Sequence, residues 1–179
     1  MTIKKEIVVP EPLVIAISAR ALFDMEKENT LFEEDGLKAY RDYQRDNEDQ
    51  LLSRGTAFHL VSGLLRLNKV INKSKEKFVE VVIMSNNSPD LSLRIFKSIE
   101  YYHLGINQDV FSSGAPLHSY FSSFKVDLFL SRSETDVSAA INNGIAAAVQ
   151  YSPPEGFSPD ENEIRIAFDG DAVLFSEEA

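Results

Sequence analysis

Short apolar runs recur along this chain with room for one helix between most neighbours: Leu13-Val-Ile-Ala-Ile17, Phe78-Val-Glu-Val-Val-Ile-Met84, Asp109-Val-Phe-Ser112, Val126-Asp-Leu-Phe-Leu130, Ala147-Ala-Val-Gln-Tyr151 and Ile164-Arg-Ile-Ala-Phe-Asp169. The first two and Val126–Leu130 are apolar almost without break, as strands buried on both faces are, whereas a sheet with one wet face alternates. Strands separated by helices are joined by crossovers, which build a mainly parallel sheet with helices on both sides. The expectation is a three-layer α/β/α domain with strands near 13–18, 79–85, 109–112, 126–131, 147–151 and 164–169.

The intervening segments read as helices. Phe58, Val61, Leu64, Leu65, Leu67, Val70 and Ile71 give a long amphipathic helix from Gly55 towards Lys73. Glu26, Lys27, Glu28, Glu33, Glu34 and Asp35 read as a solvated acidic loop, followed by a surface helix carrying Leu37, Tyr40 and Tyr43. Ser88 as N-cap, Pro89 at the first helical position and Asp90 in the first turn predict a helix start there. A short helix is expected over 116–124, and Ser133-Glu-Thr-Asp136 is an acidic variant of the capping box before another. Ser152-Pro-Pro-Glu-Gly-Phe-Ser-Pro-Asp-Glu-Asn162 is dense in proline and acid and reads as a linker.

With 179 residues, 44% of them hydrophobic, the chain can bury the core of one ordinary domain. Its formal charge of −10 argues against nucleic-acid or anionic-membrane surfaces, which want clustered Lys and Arg. Without cysteine there are no disulfides, thiolate nucleophiles or cysteine-based zinc sites. His59 has no second histidine at metal spacing. No apolar stretch reaches bilayer-spanning length and residues 1–10 do not read as a signal peptide, so a cytoplasmic location is expected.

The chemistry concentrates at Phe168-Asp-Gly-Asp-Ala-Val-Leu-Phe175. Two carboxylates one residue apart at a strand end are costly to keep charged unless a cation or reacting group shares the site. Ile15-Ala-Ile-Ser-Ala-Arg-Ala and Ile166-Ala-Phe-Asp-Gly-Asp-Ala share residues in register, so the chain starts similar units twice, with Ser18 and Arg20 in the first where Asp169 and Asp171 stand in the second. A serine and a guanidinium cannot hold a hard cation as two carboxylates can.

Asp169-Gly-Asp171 resembles motif I of the haloacid dehalogenase-like superfamily of phosphohydrolases. Phe168–Ser176, taken with Ile15-Ala-Ile-Ser-Ala-Arg-Ala-Leu-Phe23 and Met84-Ser-Asn-Asn87, is more narrowly similar to the cytosolic type I 5'-nucleotidase family. The resemblance implies a Rossmann-like fold and Mg2+-dependent hydrolysis of nucleoside 5'-monophosphates. It makes Asp169 the nucleophile that becomes an aspartyl phosphate, Asp171 the general acid/base, and both of them metal ligands. By the same resemblance Ser85 and Asn86 belong to the phosphate-binding motif II. Lys125 corresponds to the motif III lysine, with helix-end dipole pairing as its ordinary alternative. Where the family closes its metal site with paired aspartates, this chain has Ser131-Arg132. The expected organisation is a degenerate domain over 1–151, a linker over 152–163, and over 164–179 the first strand of a second, incomplete catalytic unit. One arrangement would insert the Asp169 strand beside the first sheet, borrowing Ser85 and Lys125.

A rival reading is a non-catalytic module that binds nucleotide or another anion, or forms a homo-oligomer. Ser18, Arg20, Ser131 and Arg132 support it, because arginines at the carboxyl ends of parallel strands can bind an anion without a metal.

Overall fold

The computed structural model describes residues 11–70, 77–87, 89, 92–154, 156–160 and 163–167. Its centre is strand β1 (Leu13–Ile17), paired in parallel with β4 (Val79–Ser85) on one side and β6 (Leu128–Ser131) on the other. With β5 (Gln108–Phe111) and β7 (Ala146–Val149) at the edges, the five-stranded parallel sheet has the order β5-β4-β1-β6-β7. The chain winds outward from β1 through β4 and β5, then returns past β1 to β6 and β7. Its winding direction therefore reverses between β1 and β6.

Period-two alternation sends the two faces of β1 into different cores. Ile15 and Ile17 join Val81 and Ile83 in one cluster, covered by Val61 of helix α3 (Phe58–Val70) and by Ile95 and Ile99 of α4 (Leu93–Tyr101). Val14 and Ala16 join Val82, Met84 and Phe129 in the other, covered by Phe121 of α5 (His118–Phe121) and Ala140 of α6 (Glu134–Asn142). Both faces of the sheet are thus dry, as the unbroken apolar runs require.

After β1 the chain makes one helical turn, α1 (Ala19–Leu22). It then enters a two-residue ribbon in which β2 (Phe23–Asp24) pairs antiparallel with β3 (Ser53–Arg54). Between these strands runs α2 (Glu26–Asp46), kinked at Gly36, whose φ of 81° and ψ of −177° are non-helical. The acidic segment 26–35 is therefore helix, not loop, and it is not wholly solvated: Glu28 is buried against Arg94. That partner, supplied by α4, is what a reading of local charge cannot see.

Pro89, in the helix start expected from Ser88, is 3-10 helical, and α4 itself begins at Leu93 with Ser92 before it; Ser88, Asp90 and Leu91 lie outside the described residues. The cap at Ser133 forms as read: its hydroxyl accepts from the Asp136 N–H at 3.2 Å, and α6 stops ahead of Gly144, whose φ is 80°. Residues 163–167 form no strand. Ile164 lies instead against α3, where a Cβ at Gly63 would come within 2.7 Å of its Cγ1. Gly63 opens a groove on the helix, and Ile164 gains apolar contact there without pairing to the sheet. Asp169 and Asp171 lie outside the described residues.

Candidate functional site

Three neighbouring strands end in serine: Ser85 on β4, Ser131 on β6, and Ser18 directly after β1. All three are buried, with exposures of 7%, 1% and 9% respectively. Each hydroxyl accepts from a backbone N–H of the segment that follows it: Ser18 from Ala21 at 3.2 Å, Ser85 from Asn87 at 3.3 Å, Ser131 from Ser133 at 3.1 Å. These bonds occupy acceptor lone pairs and leave each O–H as a donor. The row lies at the carboxyl ends of the strands and spans the place where the winding reverses, the general position for ligands of open α/β sheets.

A cleft of about 580 Å³ opens over these serines, within the ~300–1,000 Å³ usual for small-molecule sites. The α2 segment also lines it, with Met25, Phe32, Leu37 and Tyr40 interspersed with Glu28, Asn29, Glu33 and Arg41. Phe32 and Leu37 are half exposed, and Phe32 meets the Tyr40 ring edge-on at 6.0 Å. The cleft thus has a polar floor and a wall of mixed apolar and charged side chains.

Arg20 and Arg132 line the same cleft and share one carboxylate. Glu26 Oε1 and Oε2 accept from Arg20 Nε at 2.9 Å and Nη2 at 2.7 Å, a bidentate pair, and Arg132 Nε lies 3.2 Å from Oε1. The Arg20 hydrogen bonds hold the Glu26 carboxyl below the usual range against the opposing effect of burial, with the charges of Arg20 and Arg132 adding to them. The same bond raises Arg20.

Of the residues singled out in the sequence, Ser85 and Asn86 come together here. The Asn86 Nδ2 lies 3.3 and 3.4 Å from the two carboxylate oxygens of Asp136, and its Oδ1 accepts from the Ser112 hydroxyl at 3.2 Å. Lys125 does not join them. It precedes β6, at the end where parallel strands begin, in a hollow with Glu11, Val14, Glu80 and Asp127, and its Nζ lies 3.3 Å from Glu11. From Glu80 to Ser85 is five residues of strand, roughly 16 Å. Ser85 and Lys125 cannot touch one phosphate, so the arrangement that borrows both is excluded by the geometry.

The cleft does not fit a magnesium ion. Among the described residues no group of three or more His, Cys, Asp or Glu could hold a metal. The nearby carboxylates are engaged, Glu26 by Arg20 and Arg132, Glu28 by Arg94, and Asp136 by Asn86. Two arginines beside the strand ends disfavour a further cation. The Asp169 and Asp171 carboxylates have the oxygen chemistry such an ion needs. The residues that sequence reasoning missed are those of α2: Glu26 was read as solvent-facing, and Phe32 carried no signal beyond being an aromatic in a polar run.

The sequence matches the 5'-nucleotidase family over residues 6–179. It is 31% identical over 176 residues to the human protein named Cytosolic 5'-nucleotidase 1B, a match covering 95% of this chain and 29% of that protein. The chain thus spans under a third of the length of that relative. No solved structure gives a significant match.

Proposed function

We propose that this chain, which belongs to the 5'-nucleotidase family, takes part in hydrolysis of nucleoside 5'-monophosphates through Asp169 and Asp171. The observation that carries this reading is the contrast between the end of β1 and the matching sequence at 169–171. At the first, Ser18 and Arg20 stand where a carboxylate pair would be, and Arg20 is bound to Glu26, so that end offers no nucleophilic carboxylate of its own. The family's phosphate chemistry then falls to the Asp-Gly-Asp sequence at 169–171.

In that role Asp169 attacks the phosphorus and forms an acyl phosphate, while the bond from phosphorus to the ribose 5'-oxygen breaks and Asp171 delivers its proton to that oxygen. Asp171, now a carboxylate, takes a proton from water as the water attacks the acyl phosphate, releasing inorganic phosphate and restoring Asp169. Mg2+ held by Asp169 and Asp171 would supply the positive charge that two carboxylates and a phosphate dianion need. Ser85 and Asn86 are assigned to phosphate binding in the cleft, and Lys125 is left out of the site.

The relative carries the word cytosolic in its name, and among the described residues no helix is long and apolar enough to cross a membrane. A cytoplasmic location is part of the proposal.

The test is phosphate release from AMP, IMP and p-nitrophenyl phosphate by the purified chain, with and without magnesium, beside Asp169→Asn. Magnesium-dependent release that disappears in the variant is expected. Release undiminished in Asp169→Asn would remove the assignment. Nucleotide binding with no turnover in any condition would favour the non-catalytic module for this length of chain.

A further inference from the structure

We infer that a notch in α3 at Gly63 is the anchorage by which this domain fixes the Asp169–Asp171 pair, with Ile164 as the positioning residue seated in it. The use of those carboxylates rests on the hydrolytic reading, whereas the anchorage itself stands on residues of α3 and of the segment 163–167. In that segment Glu163, Arg165, Ile166 and Ala167 are exposed and only Ile164 is half-buried. The Glu163 and Arg165 side chains pair with each other at 2.7 Å on the solvent side, so the segment meets α3 through a single aliphatic side chain.

Glycine in a helix interior is unfavourable, and it is kept where another part of the chain must come close. Gly63 is buried in the middle of α3. A Cβ there would stand 2.7 Å from Ile164 Cγ1 and 2.8 Å from Cδ1, with Arg66 Nη2 at 3.4 Å. Leu60 and Leu67 lie a turn before and a turn after Gly63 on the same side of the helix, and Leu67 is 37% exposed. They continue the notch as apolar surface. A larger residue at 63 meets side-chain atoms of a segment that is not paired to the sheet, so the segment yields and the helix does not.

The place of the anchor along the chain decides what it does. Asp169 follows Ile164 by five residues, a reach of at most ~18 Å even when fully extended. The contact of Arg132 Nη1 with the Ser152 hydroxyl, at 3.4 Å, comes seventeen residues before Asp169, and by itself it would allow a reach of ~60 Å. Seating Ile164 cuts the volume open to the carboxylates roughly fortyfold, as the cube of the reach. Restricting reacting groups in this way is how positioning contributes to catalysis.

The chain has no cysteine, so introduced ones report cleanly. The Ile164 Cβ lies within about 4 Å of a Cβ at position 63, close enough for the ~3.5–4.5 Å that a disulfide spans. The double variant Gly63→Cys/Ile164→Cys of the full chain should therefore close a disulfide on mild oxidation. Spin labels on Ala172→Cys, next to Asp171 in sequence, and on Ser122→Cys, exposed at the end of α5, should give one narrow distance distribution. Ile164→Asp and Gly63→Leu should each broaden it at least about twofold as the tether lengthens. The thermal midpoint of the domain should stay at that of the unaltered chain, which general damage to the fold would not allow. Thiols that remain reduced in the folded double variant would overturn the inference, as would a distribution as narrow in Ile164→Asp as in the unaltered chain. Absence of turnover with magnesium sinks the hydrolytic reading instead and leaves both measurements as they are, so the two can fall separately.

Discussion

The Glu28 carboxylate lies 2.6 Å from Nη1 of Arg94, 66 residues further along the chain, with both side chains only 6% exposed. Arg94 also donates from Nη1 to Gln44 Oε1 at 3.0 Å and from Nε to the Gln50 carbonyl at 3.0 Å, while Gln44 Nε2 donates to the Tyr40 hydroxyl. Burial raises the Tyr40 phenol above its ordinary value, with the Gln44 bond opposing. The network ties both halves of kinked α2 to α4. Removing one ion leaves the other buried and unpaired, so Arg94→Ala is expected to destabilise the fold by ~3–5 kcal/mol. The shift in urea midpoint at constant slope measures it; a loss below about 1 kcal/mol, the worth of an exposed pair, would mean the pair is solvated after all.

Glu26 should make the cleft acid-sensitive. Its carboxyl is held low in the folded chain chiefly by the Arg20 hydrogen bond, so its stabilising contribution is complete above the unfolded value, roughly pH 4.3. That contribution fades as pH falls through the lower folded value. With the Glu26 side chain 47% exposed, the effect on overall stability is small, and the informative quantity is local. Carbon-detected NMR titration of the glutamates should find Glu26 titrating below the others that are solvent-exposed, and Arg20→Ala should bring it back to their range. An ordinary midpoint in the unaltered chain would show that the bridge does not persist in solution.

How much of this was legible in the sequence depends on whether a residue's partner is near or far along the chain. The strand at Val79–Ser85 and the Ser133 cap follow from runs and spacings a few residues long, and both appear as read. The start of α2 was missed because the burial of Glu28 depends on Arg94, whose position against it is set by the fold alone. Lys125 was misplaced for a simpler reason: a residue just before a parallel strand lies at the opposite end of the sheet from one just after. The serines of the cleft stood in plain view, each closing an apolar run, but only the sheet order makes Ser85, Ser18 and Ser131 neighbours.

Gly55 allows the β2–β3 ribbon to lie on the turn that follows β1. A Cβ there would stand 2.7 Å from the Ala21 carbonyl oxygen and from the Phe23 backbone, and the Gly55 N–H donates to the Leu22 carbonyl at 2.9 Å. The obstruction is backbone, which cannot rotate away. Gly55→Ala should therefore destabilise by ~1–3 kcal/mol or more, as overpacking does, visible as a lowered thermal midpoint. Gly36→Ala meets no neighbour within 4 Å but keeps φ at 81°, so its penalty is backbone strain of ~1–2 kcal/mol. If Gly55→Ala melts with the unaltered chain, the close approach is not a feature of the folded state.

Lys125 offers a control on the location of the site. Its ion pair with Glu11 joins side chains 72% and 82% exposed, and its backbone φ of 51° is one that glycine adopts without strain. Lys125→Gly is therefore expected to be neutral or to stabilise slightly relative to Lys125→Ala, which keeps the strain. Neither should alter AMP affinity, because the side chain lies roughly a strand's length from the serines. Arg132→Ala, on the cleft side of the same strand β6, should weaken binding about tenfold, the equivalent of ~1.4 kcal/mol. Calorimetric titration of Lys125→Ala beside Arg132→Ala separates the two ends of the sheet. A larger loss from Lys125 than from Arg132 would move the phosphate to the amino-terminal end of the strands and away from the cleft.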